Sequence, residues 1–142
     1  MAIPAKGFEF FEHTADIGLR AWGPSLETLF IASARGLVEL LVEQSQIQGA
    51  ERRPITLAAS SVETLLRLWL KEVLFWFNVD HFLPADYRFT TIDQTTLDGE
   101  VIGERFDRSR HVQGTEVKGV TYHQFRISRR NRGWEAEIIF DV

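Results

Sequence analysis

Apolar and polar side chains alternate in two short runs near the start of the chain. The runs cover residues 8–11 and 17–22, and both are rich in the aromatic and branched residues that favour strands. The polar segment 12–16 lies between them, which predicts two strands that meet at a tight corner, or one strand with a bulge. Either arrangement brings polar side chains to a strand end, where sheets often direct them toward a functional site.

A stripe of apolar residues with helical spacing follows the second strand. Gly23 and Pro24 form a turn, and Ser25 is a typical N-cap for a helix whose leucines and Phe30 recur three or four residues apart. Small residues at 32, 34 and 36 leave the middle of this helix slim. We therefore predict a helix that Ser25 caps, that frays within residues 43–49 and that lies close against a sheet.

A second helical stripe is much broader. We expect this helix to begin at Ser60, where Glu63 would complete a capping box, and to end within residues 78–84. Its polar edge is narrow and is marked by Thr64, Arg67 and Lys71. A helix this apolar is buried by more than one neighbour, so we interpret it as the core helix.

The other segments alternate as strands do. Helices and strands are segregated along the chain, which predicts a single α+β domain over residues 1–142, with two helices packed on a mostly antiparallel sheet or sheets of about seven strands. Residues 94–96 and 129–133 are predicted turns, and 107–114 is a polar loop. The remaining strands are predicted at residues 53–58, 86–93, 97–106, 117–129 and 134–140.

Composition narrows the possible functions. The chain has 142 residues, of which 44% are hydrophobic and 25% are charged, as in an ordinary globular protein. Its net charge of −4 argues against a general nucleic-acid binder, and the absence of cysteine excludes disulfides and thiolate chemistry. The start lacks the features of a secretion signal, and no apolar run approaches the length of about 18 residues that spans a bilayer, so we expect a cytoplasmic protein.

Two acidic residues at strand ends suggest a metal site. Asp16 lies at the corner between the first two strands, and Asp141 precedes Val142 at the end of the last strand. We hypothesise that Asp16 and the Asp141–Val142 segment meet in space and bind a divalent cation, because hard cations prefer oxygen ligands. The alternatives are a solvent-facing Asp16, an Asp16 that pairs with Arg20, and an Asp141 on a fraying strand end.

Other polar residues allow more than one interpretation. His13 is a ligand, a proton carrier or a structural corner residue, and Lys118 is either a surface lysine or a cation for phosphate or the aspartates. We find no glycine-rich phosphate loop, catalytic triad motif, zinc motif or RNA-recognition signature. Two basic groups are consistent either with solvated turns or with a surface that faces a partner or RNA. The first group is Arg105, Arg108, Arg110 and His111, and the second is Arg129, Arg130 and Arg132.

Motifs spread along nearly the whole chain resemble those of the archease family. In order they are His13-Thr14-Ala15-Asp16-Ile17-Gly18, Ser25-Leu26-Glu27, Trp69-Leu70 with Leu74, Gly103-Glu104 with Phe106-Asp107, Gly114-Thr115-Glu116-Val117-Lys118, Thr121-Tyr122-His123, Gly133-Trp134-Glu135-Ala136 and Phe140-Asp141-Val142.

The resemblance implies an accessory protein with no catalytic residues of its own. Archeases assist the GTP-dependent RNA ligase of tRNA splicing, which joins RNA ends bearing a 3′-phosphate or 2′,3′-cyclic phosphate to 5′-hydroxyl ends with manganese. They promote ligase guanylylation and multiple turnover, and they bind a divalent metal ion, here calcium, magnesium or manganese. The implied metal ligands are Asp16, Asp141 and Val142, and the residues implied as essential for activation are His13, Asp16, Lys118 and Asp141.

The resemblance also leaves other functions and partners open. The implied partner is the RNA ligase, with RNA contacted indirectly or weakly and no membrane contact. A chaperone or modulator of tRNA methyltransferases or other RNA-processing enzymes is the alternative. A stand-alone metal-dependent phosphoesterase that uses Asp16, Asp141 and Lys118 is a further candidate, and so is a binding module or holdase whose activity does not need Asp16.

Overall fold

The computed structural model describes residues 7–13, 15–43, 46–122 and 125–142, with the backbone alone of His13. Two helices pack on antiparallel strands, which confirms the predicted α+β fold. The elements are β1 (Phe8–His13), β2 (Asp16–Gly23), α1 (Leu26–Leu41), β3 (Val42–Glu43), β4 (Glu51–Ala58), α2 (Val62–Asp80), β5 (Phe82–Ile92), β6 (Thr96–Arg105), β7 (Val112–Gln113), β8 (Gly119–Val120), β9 (Arg126–Arg130) and β10 (Gly133–Asp141).

The strands of the described residues form two larger sheets and one short pair. The main sheet has the order β1-β2-β10-β8, with β9 also paired to β10. The second sheet has the order β4-β6-β5, and β3 pairs with β7. The pairing of β2 with β10 brings a segment from near the start of the chain beside the last strand.

Helix α1 lies directly on the main sheet. Its N-cap is Ser25, as predicted, and the Ser25 hydroxyl accepts a hydrogen bond from the Thr28 amide at 3.2 Å. A Cβ at Gly36 would lie 2.7 Å from the Leu19 side chain, so glycine permits the close approach of α1 to β2. The small residues in the middle of α1 therefore allow the close helix–sheet packing that the sequence predicted.

Helix α2 occupies the centre of the molecule, as its broad stripe predicted. Trp69 has no exposed surface, and its indole nitrogen donates a hydrogen bond to the Phe30 carbonyl of α1 at 3.0 Å. The Trp69 ring also meets Tyr87 and Phe89 of β5 edge to face. Helix α2 thus connects α1 to the second sheet.

Two expectations about α2 are wrong. The N-cap is Ser61 rather than Ser60, because the Ser61 hydroxyl accepts a hydrogen bond from the Thr64 amide at 3.2 Å. Thr64 therefore occupies the third helical position, and Glu63 does not complete a capping box. Arg67 does not mark a wet edge, since it is 8% exposed.

The predicted long strand over residues 117–129 is also wrong. Residues 119–120 and 126–130 form two separate strands that pair with β10 in different registers. Phe140 lies opposite Val120, whereas Glu137 lies opposite Arg126, so the two registers differ by three residues. One regular strand keeps a single register with its partner, and this offset requires an interruption.

Candidate functional site

Asp16 and Asp141 lie at the same end of the main sheet. In the pairing of β2 with β10, Ile17 is opposite Phe140, and one further step brings Asp16 alongside Asp141. Leu19 of β2 and Phe140 of β10 have no exposed surface and face the core, so alternation directs Asp16 and Asp141 to the opposite, outer face of the sheet. His13 pairs with Asp16 in the backbone register of β1 and β2, while its side chain lies outside the described residues.

Lys118 joins these acids through the backbone. Its amide donates a hydrogen bond to the Asp141 carbonyl at 2.7 Å, and the next residue, Gly119, is the register partner of Asp141. The Asp141 and Lys118 side chains are exposed, whereas Asp16 and Val142 are half-buried. We call this group of Asp16, Asp141, Val142 and Lys118 the acidic sheet end.

An apolar row borders the acidic sheet end on the outer face. Phe11 lies opposite Gly18, which in turn lies opposite Ile139. A Cβ at Gly18 would collide with the Phe11 ring, so glycine at this position allows the ring to lie across β2. Ile139 is 1% exposed although it faces away from the helices. Glycine in a strand commonly marks a place where another group approaches the backbone closely. The sequence pattern alone does not show that the Phe11 ring is the group that approaches Gly18.

Arg20 lies beyond this apolar row and is surrounded by glutamates. Its guanidinium lies 2.7 Å from Glu9, 3.3 Å from Glu135 and 3.4 Å from Glu137. Among the described residues these are its ion pairs, so the alternative in which Arg20 pairs with Asp16 is wrong. The hydrogen bond with Glu9, followed by that with Glu137, raises the pKa of Arg20 despite the opposing effect of burial.

Glu137 is held as a carboxylate by two arginines. Burial alone would raise the pKa of Glu137, but Arg126 at 3.0 Å and Arg20 outweigh burial and lower it. Arg130 also pairs with Glu135 at 2.8 Å, so three arginines balance the three glutamates of this network. The carboxylates of the acidic sheet end lie outside it, and their oxygens are the donor type that hard divalent cations prefer.

The acidic sheet end offers carboxylate oxygens, the donor type that hard divalent cations prefer. Within the described part of the chain, no group of three or more His, Asp or Glu side chains is arranged to hold a metal ion. The candidate ligands are two aspartates from paired strands and an oxygen of Val142. Such a partial shell is common where a cation keeps water or a partner's groups as its remaining ligands.

Two members of the first basic group, Arg110 and His111, are engaged by residues in or next to their own loop. His111 is 3% exposed, and its Nδ1 accepts a hydrogen bond from the Asp107 amide at 2.8 Å. Arg110 pairs with Glu104, so His111 and Arg110 close the 107–114 loop instead of presenting free charge. The polar composition of this segment gave no sign that its histidine is buried.

No helix in the described ranges is long and apolar enough to cross a membrane.

The fold and the acidic sheet end together define a class of small α+β proteins with carboxylates and a lysine placed where the second and last strands of the chain pair. The chain belongs to the archease protein family, whose model matches residues 8–142.

Relatives of known name cover nearly the full chain. Protein archease of Methanosarcina barkeri is 31% identical over 100% of both chains, and Protein archease of a Saccharolobus islandicus strain is 37% identical over 96% of this chain and 99% of its own. The solution structure of Methanobacterium thermoautotrophicum Protein 1598 matches with a TM-score of 0.81 at 32% identity, over 96% of this chain and 99% of that one.

A more distant structure shares the fold. It is the crystal structure of an archease from Thermotoga maritima, described as a possible chaperone, with a TM-score of 0.63 at 21% identity over 100% of this chain and 98% of that one.

Proposed function

We propose that this protein activates a GTP-dependent RNA ligase of tRNA splicing, promoting its guanylylation and multiple turnover through a divalent cation bound at the acidic sheet end. The proposal places Asp16, Asp141 and an oxygen of Val142 as cation ligands and Lys118 as the neighbouring cationic group. Its main support is the register that brings Asp16 alongside Asp141, together with the 2.7 Å hydrogen bond from the Lys118 amide to the Asp141 carbonyl.

The surroundings of the acids support a site that a partner can reach. Asp141 and Lys118 are exposed, and the neighbouring Arg20 is already engaged by three glutamates. A bound cation supplies positive charge that orients oxygen ligands of a partner or of phosphate. Lys118 is a compact charge of the kind that meets a phosphate or a partner carboxylate.

The test is RNA ligation by the cognate ligase under multiple-turnover conditions, with a 3′-phosphate end and a 5′-hydroxyl end. We expect the wild-type chain to increase the number of turnovers, and Asp16→Asn, Asp141→Asn and Lys118→Ala each to lose roughly tenfold or more of that increase, as is typical when a metal site is damaged. Circular dichroism verifies that each variant is folded.

Matched controls lie on the second sheet. Asp86 and Arg88 of β5 are exposed and pair only with each other at 3.2 Å among the described residues, so Asp86→Asn and Arg88→Ala should activate like wild type. Full activation by Asp16→Asn or Asp141→Asn would contradict the proposal. Hydrolysis of phosphate esters by the protein without ligase would instead support the phosphoesterase alternative, and protection of a tRNA methyltransferase that survives Asp16→Asn would support the chaperone alternative.

A further inference from the structure

Arg67 of α2 is a buried cation without an anionic partner among the described residues. It is 8% exposed, its Nε has no hydrogen-bond partner there, and no ion pair is found for it in those ranges. Its guanidinium lies 3.3 Å from the centroid of the Tyr122 ring. Burying a charge costs stability unless it is compensated, and an aromatic face compensates it only in part.

Tyr122 covers this cation but is itself open to solvent. The residue is 73% exposed, although one side of its ring rests on Arg67. An exposed aromatic ring with a fixed cation beneath it is a preformed stacking platform, because the cation holds the ring in place and adds positive potential.

Helix α2 extends the platform with a second cation and a second ring. Lys71 and Phe75 follow Arg67 at successive four-residue steps, so the three residues share one side of the helix over about 12 Å. Lys71 is exposed and Phe75 is 52% exposed. Arg67 and Lys71 are like charges at a spacing that destabilises a helix, and a bound anion would relieve this repulsion.

We propose that Arg67, Lys71, Phe75 and Tyr122 form a binding site for a short single-stranded RNA segment. Bases stack on Tyr122 and Phe75, Lys71 contacts a phosphate, and Arg67 positions the Tyr122 ring. Two exposed rings beside two cations favour a nucleic acid over an acidic peptide, because a carboxylate uses the cations but leaves the rings without a stacking partner. Because the chain has a net charge of −4, most of its surface repels RNA phosphates, and the proposed RNA binding is confined to this site.

The site lies close to the acidic sheet end. Tyr122 follows Lys118 by four residues, which span at most roughly 14 Å of chain, and β8 between them pairs with the end of β10. An RNA strand held on this platform would therefore pass near Asp141. The binding itself does not require the RNA ligase, so it is tested on the protein alone.

The experiment measures fluorescence anisotropy of a labelled single-stranded oligouridylate of about ten nucleotides at low salt. We expect the wild-type chain to bind, Tyr122→Ala to weaken binding roughly tenfold through lost stacking, and Tyr122→Phe to bind like wild type. Lys71→Ala should weaken binding and reduce the slope of log K against log salt by about 0.7, the value for one phosphate contact to a single strand.

Arg88→Ala is the control, because Arg88 is an exposed arginine of β5 in the second sheet and belongs to neither basic group of the sequence. Equal losses in this variant would show unspecific charge attraction and overturn the proposal. Absence of binding by wild type, or wild-type binding by both Tyr122→Ala and Lys71→Ala, would also overturn it. If a polyglutamate peptide displaces the oligouridylate, and if Tyr122→Ala and Lys71→Ala weaken binding of that peptide to the same extent, the site belongs to an acidic protein partner instead. Since no ligase is present, none of these outcomes decides the ligase proposal.

Discussion

At the scale of single residues, spacing along β2 separates the two charge groups of the outer face. Asp16 and Arg20 are four residues apart, roughly 13 Å along a strand. Gly18 lies between them, beneath the Phe11 ring, and the Arg20 guanidinium lies 5.3 Å from the centroid of that ring. Because Arg20 is engaged by glutamates on both neighbouring strands, its charge does not neutralise the acidic sheet end.

Gly103 is a residue whose role depends on a backbone neighbour. A Cβ at this buried position would collide with the Leu83 carbonyl of β5, next to the register shift between Pro84 and Asp86. We expect Gly103→Ala to lower the free energy of unfolding by about 1–3 kcal/mol, since rigid backbone cannot move aside cheaply. Urea denaturation measures the change.

The control for this substitution is Gly119→Ala. A Cβ at Gly119 would meet no atom within 4 Å, and replacing an unstrained glycine changes stability by at most about 1 kcal/mol, usually upward. Equal unfolding midpoints for the two variants would show that the strand pairing near Leu83 tolerates a side chain.

At the scale of elements, the start of α2 distinguishes two adjacent serines. Ser61 accepts the hydrogen bond from the Thr64 amide, whereas Ser60 is exposed and outside the helix. We expect Ser61→Ala to lower the free energy of unfolding by about 1 kcal/mol through the loss of the cap, and Ser60→Ala to change it very little. Thermal unfolding of both variants makes the comparison, and a larger loss for Ser60→Ala would favour the capping box that the sequence suggests.

Elements whose pattern is local were predictable from the sequence. Helix α1 carries a cap and a regular stripe, and β10 alternates core residues with Glu135 and Glu137, so both were found close to their true limits. The interruption between β8 and β9 was not predictable, because each strand takes its register from β10 rather than from its own residues.

In the candidate site, too, local features were predictable from the sequence and long-range contacts were not. Asp16 and Asp141 were identifiable as acids at strand ends, but their position side by side results from the pairing of β2 with β10, which no periodicity reveals. Arg67 was assigned to a wet edge because its helical angle lies at the border of the apolar stripe. Its burial depends on Tyr122, a residue more than fifty positions away in the chain.

At the scale of the whole molecule, the acidic sheet end exists only when the chain is folded. Its residues come from positions 16, 118 and 141–142, and they meet because β2 and β8 flank β10. An unfolded chain has no such arrangement, so a ligand of this site binds the folded state far more tightly than the unfolded one. Binding must then raise the stability of the entire domain.

This linkage gives a test of the proposed cation site that does not depend on ligase activity. A free cation at about one hundred times its dissociation constant stabilises the folded state by about 2.7 kcal/mol, and each kcal/mol raises the Tm of a domain of this size by roughly 2–4 °C. We therefore expect calcium, magnesium or manganese to raise the Tm of the wild-type chain, and Asp16→Asn and Asp141→Asn to lose most of that rise. Asp86→Asn removes one acidic charge from the second sheet and should keep the full rise, which separates site binding from general screening of the negative net charge. A Tm increase of equal size in all three variants would mean that the cations act on the whole surface and that the two paired aspartates do not hold one.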